Sequence, residues 1–326
     1  MAFILLAVPV FLVLAFPETA QKFLRKPPKV DEGTFTASVV LREDLKKHIV
    51  KLAKEIGDRN ETLRFKELEK AALYIEEELE KAGCVVTVQE FKAEEHGVKN
   101  IIGEVKGSVL PDEIYVVGAH YDTCFNPGAD DNASGVAGLI EIAKSFKDKK
   151  PKHTVRFVAF ANEEPPFFRT KKMGSLVYAR SCKEKKENIK DAIVLESIGY
   201  FDNAPGSQKY PEILKPYFPD TGNFVAMVGN ISSALLVNKL KEEFGRHSKF
   251  PVESVSFFET LPAIGLSDHW AFWQAGYKAV MISDTAPFRN PYYHTDNDKP
   301  ETLNYAYMAE VVNGLGKAIT ALVNKD

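Results

Sequence analysis

Apolar residues recur along this chain with two periods. From Arg42 to Ile56 the residues Leu45, Ile49, Val50, Leu52 and Ile56 fall at helical spacing with lysines between them, and Phe65 to Ala82 continues as a second helix that stops at Gly83. Cys84 to Phe91 and Val98 to Val105 alternate or run apolar as strands, and the E-E-H-G turn between them makes an antiparallel pair, with His96 as a polar turn residue. The run Ile114 to Val117 ends in His120; a loop rich in Gly, Pro and Asn then carries Asp130 and Asp131, and Val136 to Ile142 reads as a helix with small residues on one side. Four more strand-like runs follow, at His153 to Ala161, Asp191 to Leu195, Asn223 to Val228 and Lys278 to Ile282, with helices at Ser232 to Phe244 and Thr302 to Val323. There is no internal repeat. Strands alternating with helices in this way predict an α/β three-layer sandwich, with a mixed, mostly parallel central sheet and helices on both faces.

Composition narrows the class. A chain of 326 residues that is 45% hydrophobic can bury one large core, and residues 30–326 read as a single domain because α/β sheets grow to that size. A formal net charge of -3 gives no polyanion-binding surface, so nucleic acid is not an expected partner. Cys84, Cys124 and Cys182 are too few and too scattered for a disulfide framework or a cysteine zinc site. Ala2 to Phe16 is an uncharged apolar run, short for a membrane span of about 20 residues and the right size for a signal-peptide core. Its basic residues, Lys22, Arg25, Lys26 and Lys29, all follow it, and Pro17-Glu18-Thr19-Ala20 is no clean cleavage site. Residues 1–29 are therefore read as an export signal or anchor plus a linker through Pro27-Pro28, with a mis-called start codon as the third reading. The expected place of the folded domain is outside the cytoplasm, secreted or attached to the membrane through residues 2–16, against the bias of the four basic residues, which for a true anchor favours the cytoplasmic side.

Five polar features, His120, Asp130, Glu163-Glu164, Glu196 and His294, each fall just past the end of an apolar run. Singly, each has a plain structural account: paired acids cap helices, and a histidine in a tyrosine-rich loop packs on its neighbours. Together they mark the crevice beyond the carboxyl ends of parallel strands, where α/β proteins bind ligands. Two imidazoles and several carboxylates are zinc donors, too many for one tetrahedral ion and suited to two ions sharing a carboxylate. Three ligating carboxylates and one bridging hydroxide balance two zinc ions with the histidines neutral, which avoids much of the cost of burying unpaired charge. Glu163, next to a ligand, is placed to move protons as a general base. Asp122, two residues after His120, is placed to fix that imidazole's tautomer, and Asp296 or Asp298 to do the same for His294.

The motifs H-Y-D-T, G-A-D-D-N-A-S-G, N-E-E, L-E-S-I-G-Y, S-D-H-W-A-F and Y-Y-H-T-D-N-D arrive in one order and resemble the two-zinc aminopeptidases of metallopeptidase family twenty-eight, which include secreted bacterial leucyl aminopeptidases. The resemblance runs from about Arg42 to the C-terminus. It implies two Zn2+ ions and hydrolysis of N-terminal residues from peptides by a metal-bridging hydroxide. By the same resemblance Asp130 bridges the ions, Glu164 and His294 complete one, His120 and Glu196 complete the other, and Glu163 is the general base. Many relatives carry Asp where Glu196 stands. They also commonly hold the peptide bond between the two aspartates cis, with Asp131 turned towards supporting backbone groups.

Specificity is less legible. Phe288, Tyr292 and Tyr293 precede His294 and suit an aromatic-walled pocket for an apolar N-terminal side chain. Phe257, Phe258 and Trp270 suit either that pocket or the core, Ser267-Asp268-His269 reads as a helix cap, and the sequons at Asn60, Asn132 and Asn230 read as chance. Peptides with a free N-terminus are the expected partners. The alternative enzyme is a glutaminyl-cyclase-like acyltransferase with one zinc, whose relatives tend to lack the first histidine motif that is intact here. The non-enzymatic alternative is an ectodomain of the same fold that has lost its ligands.

Overall fold

The computed structural model describes residues 30–212 and 214–325, so the apolar run at 2–16, and the signal or anchor read from it, lies outside them. Among the described residues no helix is long and apolar enough to cross a membrane. Eight strands form one sheet: β1 (Val85–Lys92), β2 (Gly97–Val105), β3 (Leu110–His120), β4 (His153–Phe160), β5 (Asn188–Glu196), β6 (Val225–Asn230), β7 (Val252–Phe257) and β8 (Ala279–Ser283). Their order is β1-β2-β4-β3-β5-β8-β6-β7. The four central strands β4, β3, β5 and β8 are parallel neighbours. The hairpin read from the E-E-H-G turn is β1–β2, with Val88 opposite Ile101, and it joins β4 antiparallel. On the other side β6 runs antiparallel to β8 and carries β7 parallel to itself. The sheet is therefore mixed and mostly parallel, as expected.

The helices are α1 (Val39–Ile49), which continues as a wider π turn over Val50–Ile56, α2 (Phe65–Lys81), α3 (Gly135–Lys144), α4 (Gly174–Glu184), α5 (Ala234–His247), α6 (His269–Gln274), α7 (Ala286–Arg289) and α8 (Tyr305–Leu322). Side chains alternate across a strand, so the apolar central strands need cover on both faces. Val117, Ala119, Ile193, Leu195, Val280 and Ile282 face one layer, built from α1, α2, α3, α5 and α8; Val116, Ala192, Val194, Ala279 and Met281 face the other, built from α4 and α6. In α2 the buried residues Leu68, Ala71, Ala72, Ile75 and Leu79 form the apolar stripe that seats it on the sheet.

Three of these elements have no counterpart in the sequence reading: the one-turn α7, which falls where a loop is read, β7 and α4. β7 lies at the sheet edge and is mostly half-buried, so V-E-S-V-S-F lacks the continuous apolar run that marked the central strands. Helix α4 opens on Gly174 without a side-chain cap, so it carries no start signal.

Candidate metal centre

The four central strands end together in two neighbouring pairs. His120 is the last residue of β3 and pairs with Phe160, the last of β4, while Glu196 closes β5 beside Ser283, the last of β8. Glu163 and Glu164 follow β4 after Ala161 and Asn162, and His294 comes from the loop after α7. The turn Ala129–Ser134, which leads into α3, supplies a further carboxylate to the same crevice.

That carboxylate is Asp131. Its Oδ1 lies 3.1 Å from His120 Nε2, and its Oδ2 lies 3.1 Å from His294 Nε2. Glu196 Oε2 is 3.1 Å from His120 Nε2, and Glu164 Oε2 is 3.2 Å from His294 Nε2. Two donor groups therefore share Asp131: His120, Asp131 and Glu196 at a first position, and His294, Asp131 and Glu164 at a second. Both ring nitrogens of His120, Asp131 Oδ1, Glu164 Oε1 and His294 Nε2 are buried without a hydrogen bond. Leaving such atoms unpaired is costly, and a cation at each position would satisfy those that face it, His120 Nε2 at the first and His294 Nε2 at the second. Imidazole and carboxylate donors of this kind fit zinc.

The expected bridge at Asp130 is corrected by one residue. Asp130 Oδ1 accepts from the amide of Gly199 at 2.9 Å, and its Oδ2 accepts from Asn290 Nδ2 at 2.8 Å. It is Asp130 that supports backbone, and Asp131 that faces the imidazoles. The cis peptide shifts in the same direction: it joins Asp131 to Asn132 rather than Asp130 to Asp131. Adjacent aspartates in a turn carry the same chemistry, and only the path of the backbone decides which one points into the crevice.

Two buried aspartates hold the loops that carry these donors. Asp122 accepts the amides of Glu163 and Glu164, both at 3.0 Å, while its Oδ1 stands 3.6 Å from His120 Nδ1, too far for a hydrogen bond. Asp298 does the same for the amides of Asp130 and Asp131, at 2.9 and 3.1 Å. Neither Asp298 nor the exposed Asp296 buttresses His294, which stacks on Tyr293 with ring centroids 3.9 Å apart. Arg59, wholly buried, donates to the carbonyls of Tyr121, Pro127 and Gly128 and so ties the end of β3 to the turn that carries Asp131. Burial lowers its pKa to about 10 against the pull of Asp122, Asp298, Asp58 and Asp131. Ser267, read as part of a helix cap, instead donates to Glu196 Oε2 at 2.6 Å, and the buried Asp268 makes no capping bond.

The electrostatics are those of crowded buried acids. Burial, reinforced by Asp131, raises Glu164 to about 8, and burial raises Asp268 to about 7. Burial also carries Glu163 well above the usual carboxylate range; His120 opposes this, and Glu164, Glu196 and Asp268 add to it. Burial works against a charged imidazole at His294, but the carboxylates of Asp131 and Glu164 outweigh it and raise its pKa to about 10. Glu163 thus lies in the field of donors from both positions, His120 and Glu196 of the first and Glu164 of the second. Bound cations would reverse this pattern, since they are the largest local charges in such a site.

An apolar pocket opens beside Glu196 and Tyr293 and runs over β6, β7 and β8. Phe288 and Tyr293 line it together with Phe218, Phe224, Val255 and Met281, whereas Tyr292 does not and packs edge-on against Tyr200. Phe257 and Trp270 pack against the core, and Phe258 is exposed. The side chains of Asn60, Asn132 and Asn230 are buried and hydrogen-bonded, which suits the reading of their sequons as chance.

A doubly covered α/β sheet with two carboxylate-imidazole groups at its carboxyl edge is an α/β fold with a donor set of the metal-binding kind at its ligand-binding edge. The chain belongs to peptidase family M28, whose model matches residues 100–319, so it is an enzyme of the peptide-hydrolysing kind that its motifs imply. It is 41% identical over 267 residues to the uncharacterized protein YfbL of Escherichia coli, covering 79% of this chain and 80% of that one. It is also 25% identical to a probable zinc metalloprotease of Pyricularia oryzae over 70% of this chain, and spans half of that longer protein. Among solved structures, a zinc aminopeptidase from Bacillus subtilis superposes with a TM-score of 0.70 at 16% identity, over 87% of this chain and 95% of that one. A glutaminyl cyclase from Fimbriiglobus ruber superposes with a TM-score of 0.63 at 21% identity, over 91% and 99%. At such identities the likeness is one of fold.

Proposed function

We propose that this protein is a two-zinc aminopeptidase. The observation that carries the reading is the pair of donor groups sharing Asp131, with buried ligand atoms left unpaired on both sides. His120, Asp131 and Glu196 would hold one zinc and His294, Asp131 and Glu164 the other. Bound there, zinc would supply Lewis-acid polarisation of the scissile carbonyl and lower the pKa of the attacking water. Glu163, next in the chain to the donor Glu164, takes a proton from the nucleophile and returns it to the leaving amine. Asp122 and Asp298 fix the backbone that carries the donors, as supporting carboxylates do in metal sites. The pocket beyond Tyr293 and Phe288 receives an apolar side chain of the substrate. The apolar run at 2–16 supports a place for this domain outside the cytoplasm.

A panel of aminoacyl arylamides on zinc-loaded protein, with N-acetylated substrates as controls, tests this reading. Release from free amines alone, with two zinc ions per chain, is the expected result; cleavage of blocked substrates, or none at full zinc loading, overturns it. The similarity of fold to a glutaminyl cyclase favours a second reading, in which one ion serves cyclisation of an N-terminal glutamine. Product analysis with a glutaminyl peptide and a metal count separate the two.

A further inference from the structure

Outside the donors already named, a cysteine offers a further ligand atom at the second position. Cys124 lies four residues after His120, and its Sγ is within 4.8 Å of the ligand atoms of both Glu164 and His294. Its position is held by the strut that holds His120: the preceding Thr123 exchanges hydrogen bonds with the backbone of Arg59, and the Cys124 carbonyl accepts from Asn126. Glu164 Oε1 and His294 Nε2, on the same side of the crevice, are buried without a partner, and Glu164 is only 3% exposed. The other cysteines, Cys84 and Cys182, are buried in the core.

We infer that Cys124 is a metal ligand, whose sulfur joins His294, Glu164 and Asp131 as the fourth donor at the second position. The inference rests on the zinc reading above and makes the two positions unequal. Four protein donors close a tetrahedral zinc site, whereas three leave a place open for an outside ligand, as at His120, Asp131 and Glu196. An outside ligand would then enter at the first position. A sulfur donor also biases the second position towards soft divalent cations such as zinc and cadmium, and away from manganese and magnesium. On binding, the S–H bond breaks, the sulfur-metal bond forms and one proton leaves to solvent.

The test uses the full chain freed of metal by chelator and titrated with zinc, then with cobalt as a spectroscopic probe. Cobalt-loaded wild type is expected to show a thiolate-to-cobalt charge-transfer band that is absent in Cys124→Ser. Zinc should protect one thiol per chain from a thiol reagent, because Cys124 is the cysteine that is not fully buried. Cys124→Ser should still bind the first zinc, bind the second more weakly by at least the roughly 10- to 100-fold that a lost supporting contact costs, and release one proton fewer. If wild type binds two zinc ions with the thiol still reactive, and the cobalt protein lacks the band, Cys124 is no ligand while the two-zinc reading stands. If wild type binds no zinc, both fall.

Discussion

At the residue scale, the division of labour between Asp130 and Asp131 is the sharpest test of the site. Asp131→Asn should abolish binding of at least one zinc, because it removes charge between His120 and His294. Asp130→Asn should leave both ions bound and act through the Gly199 amide it supports, so equilibrium dialysis of the two variants separates the roles. Glu163→Gln should keep the fold and both ions yet lower kcat by about 10²- to 10⁴-fold, the worth of general acid-base help; zinc content measured beside turnover checks it, and near-normal kcat would remove Glu163 from the chemistry. His120, Glu163, Glu164, Glu196 and His294 were legible because polar residues at the ends of apolar runs stand out. The choice between two neighbouring aspartates was not, since it depends on the course of the turn. Nothing in the sequence marked Arg59 either: an arginine between Asp58 and Asn60 reads as surface, yet it is buried between the two loops that bring His120 and Asp131 together.

At the scale of elements, the turn before α3 is the least tolerant piece of the scaffold. Gly128 has φ +59, and a Cβ there would come within 2.3 Å of Thr123 Cγ2 and 2.4 Å of the Asp131 carbonyl oxygen. Gly128→Ala therefore combines a strained backbone with a clash against the residue that faces both imidazoles. We expect it to cost roughly 1–3 kcal/mol in thermal or denaturant unfolding and to weaken zinc binding as well. The central strands and the main helices were readable from periodicity, because each has an apolar face or run to bury. The edge strand β7 and helix α4 were not, the first because half-burial blurs the alternation and the second because it lacks a capping signal.

At the scale of the whole molecule, the centre gathers more buried carboxyl groups than its own residues can neutralise. Burial raises Asp130 to about 6, Asp268 to about 7, and Asp298 and Glu164 to about 8. A carboxyl raised in the folded state gives stability that is full below its ordinary value near 4 and is lost as pH rises through the folded value. The raised His294 acts in the same direction, giving stability that is full below about 6.5 and lost as pH rises towards 10. Asp131, lowered despite its burial by His120 and His294, contributes above its ordinary range and does not change the slope here. Zinc-free protein should therefore lose thermal stability as pH rises from about 5 to 8. Zinc should raise the melting temperature, most of all at the upper end, by binding the folded state alone. Unfolding curves across pH with and without chelator check both signs. The sheet order has a further consequence in time. β8 comes last in sequence but inserts between β5 and β6, and His294 follows it, so a chain growing from its N-terminus carries every other donor before the centre can close. On the two-zinc reading, a growing chain stays without its full complement of ions, and so without peptidase activity, until His294 has been added.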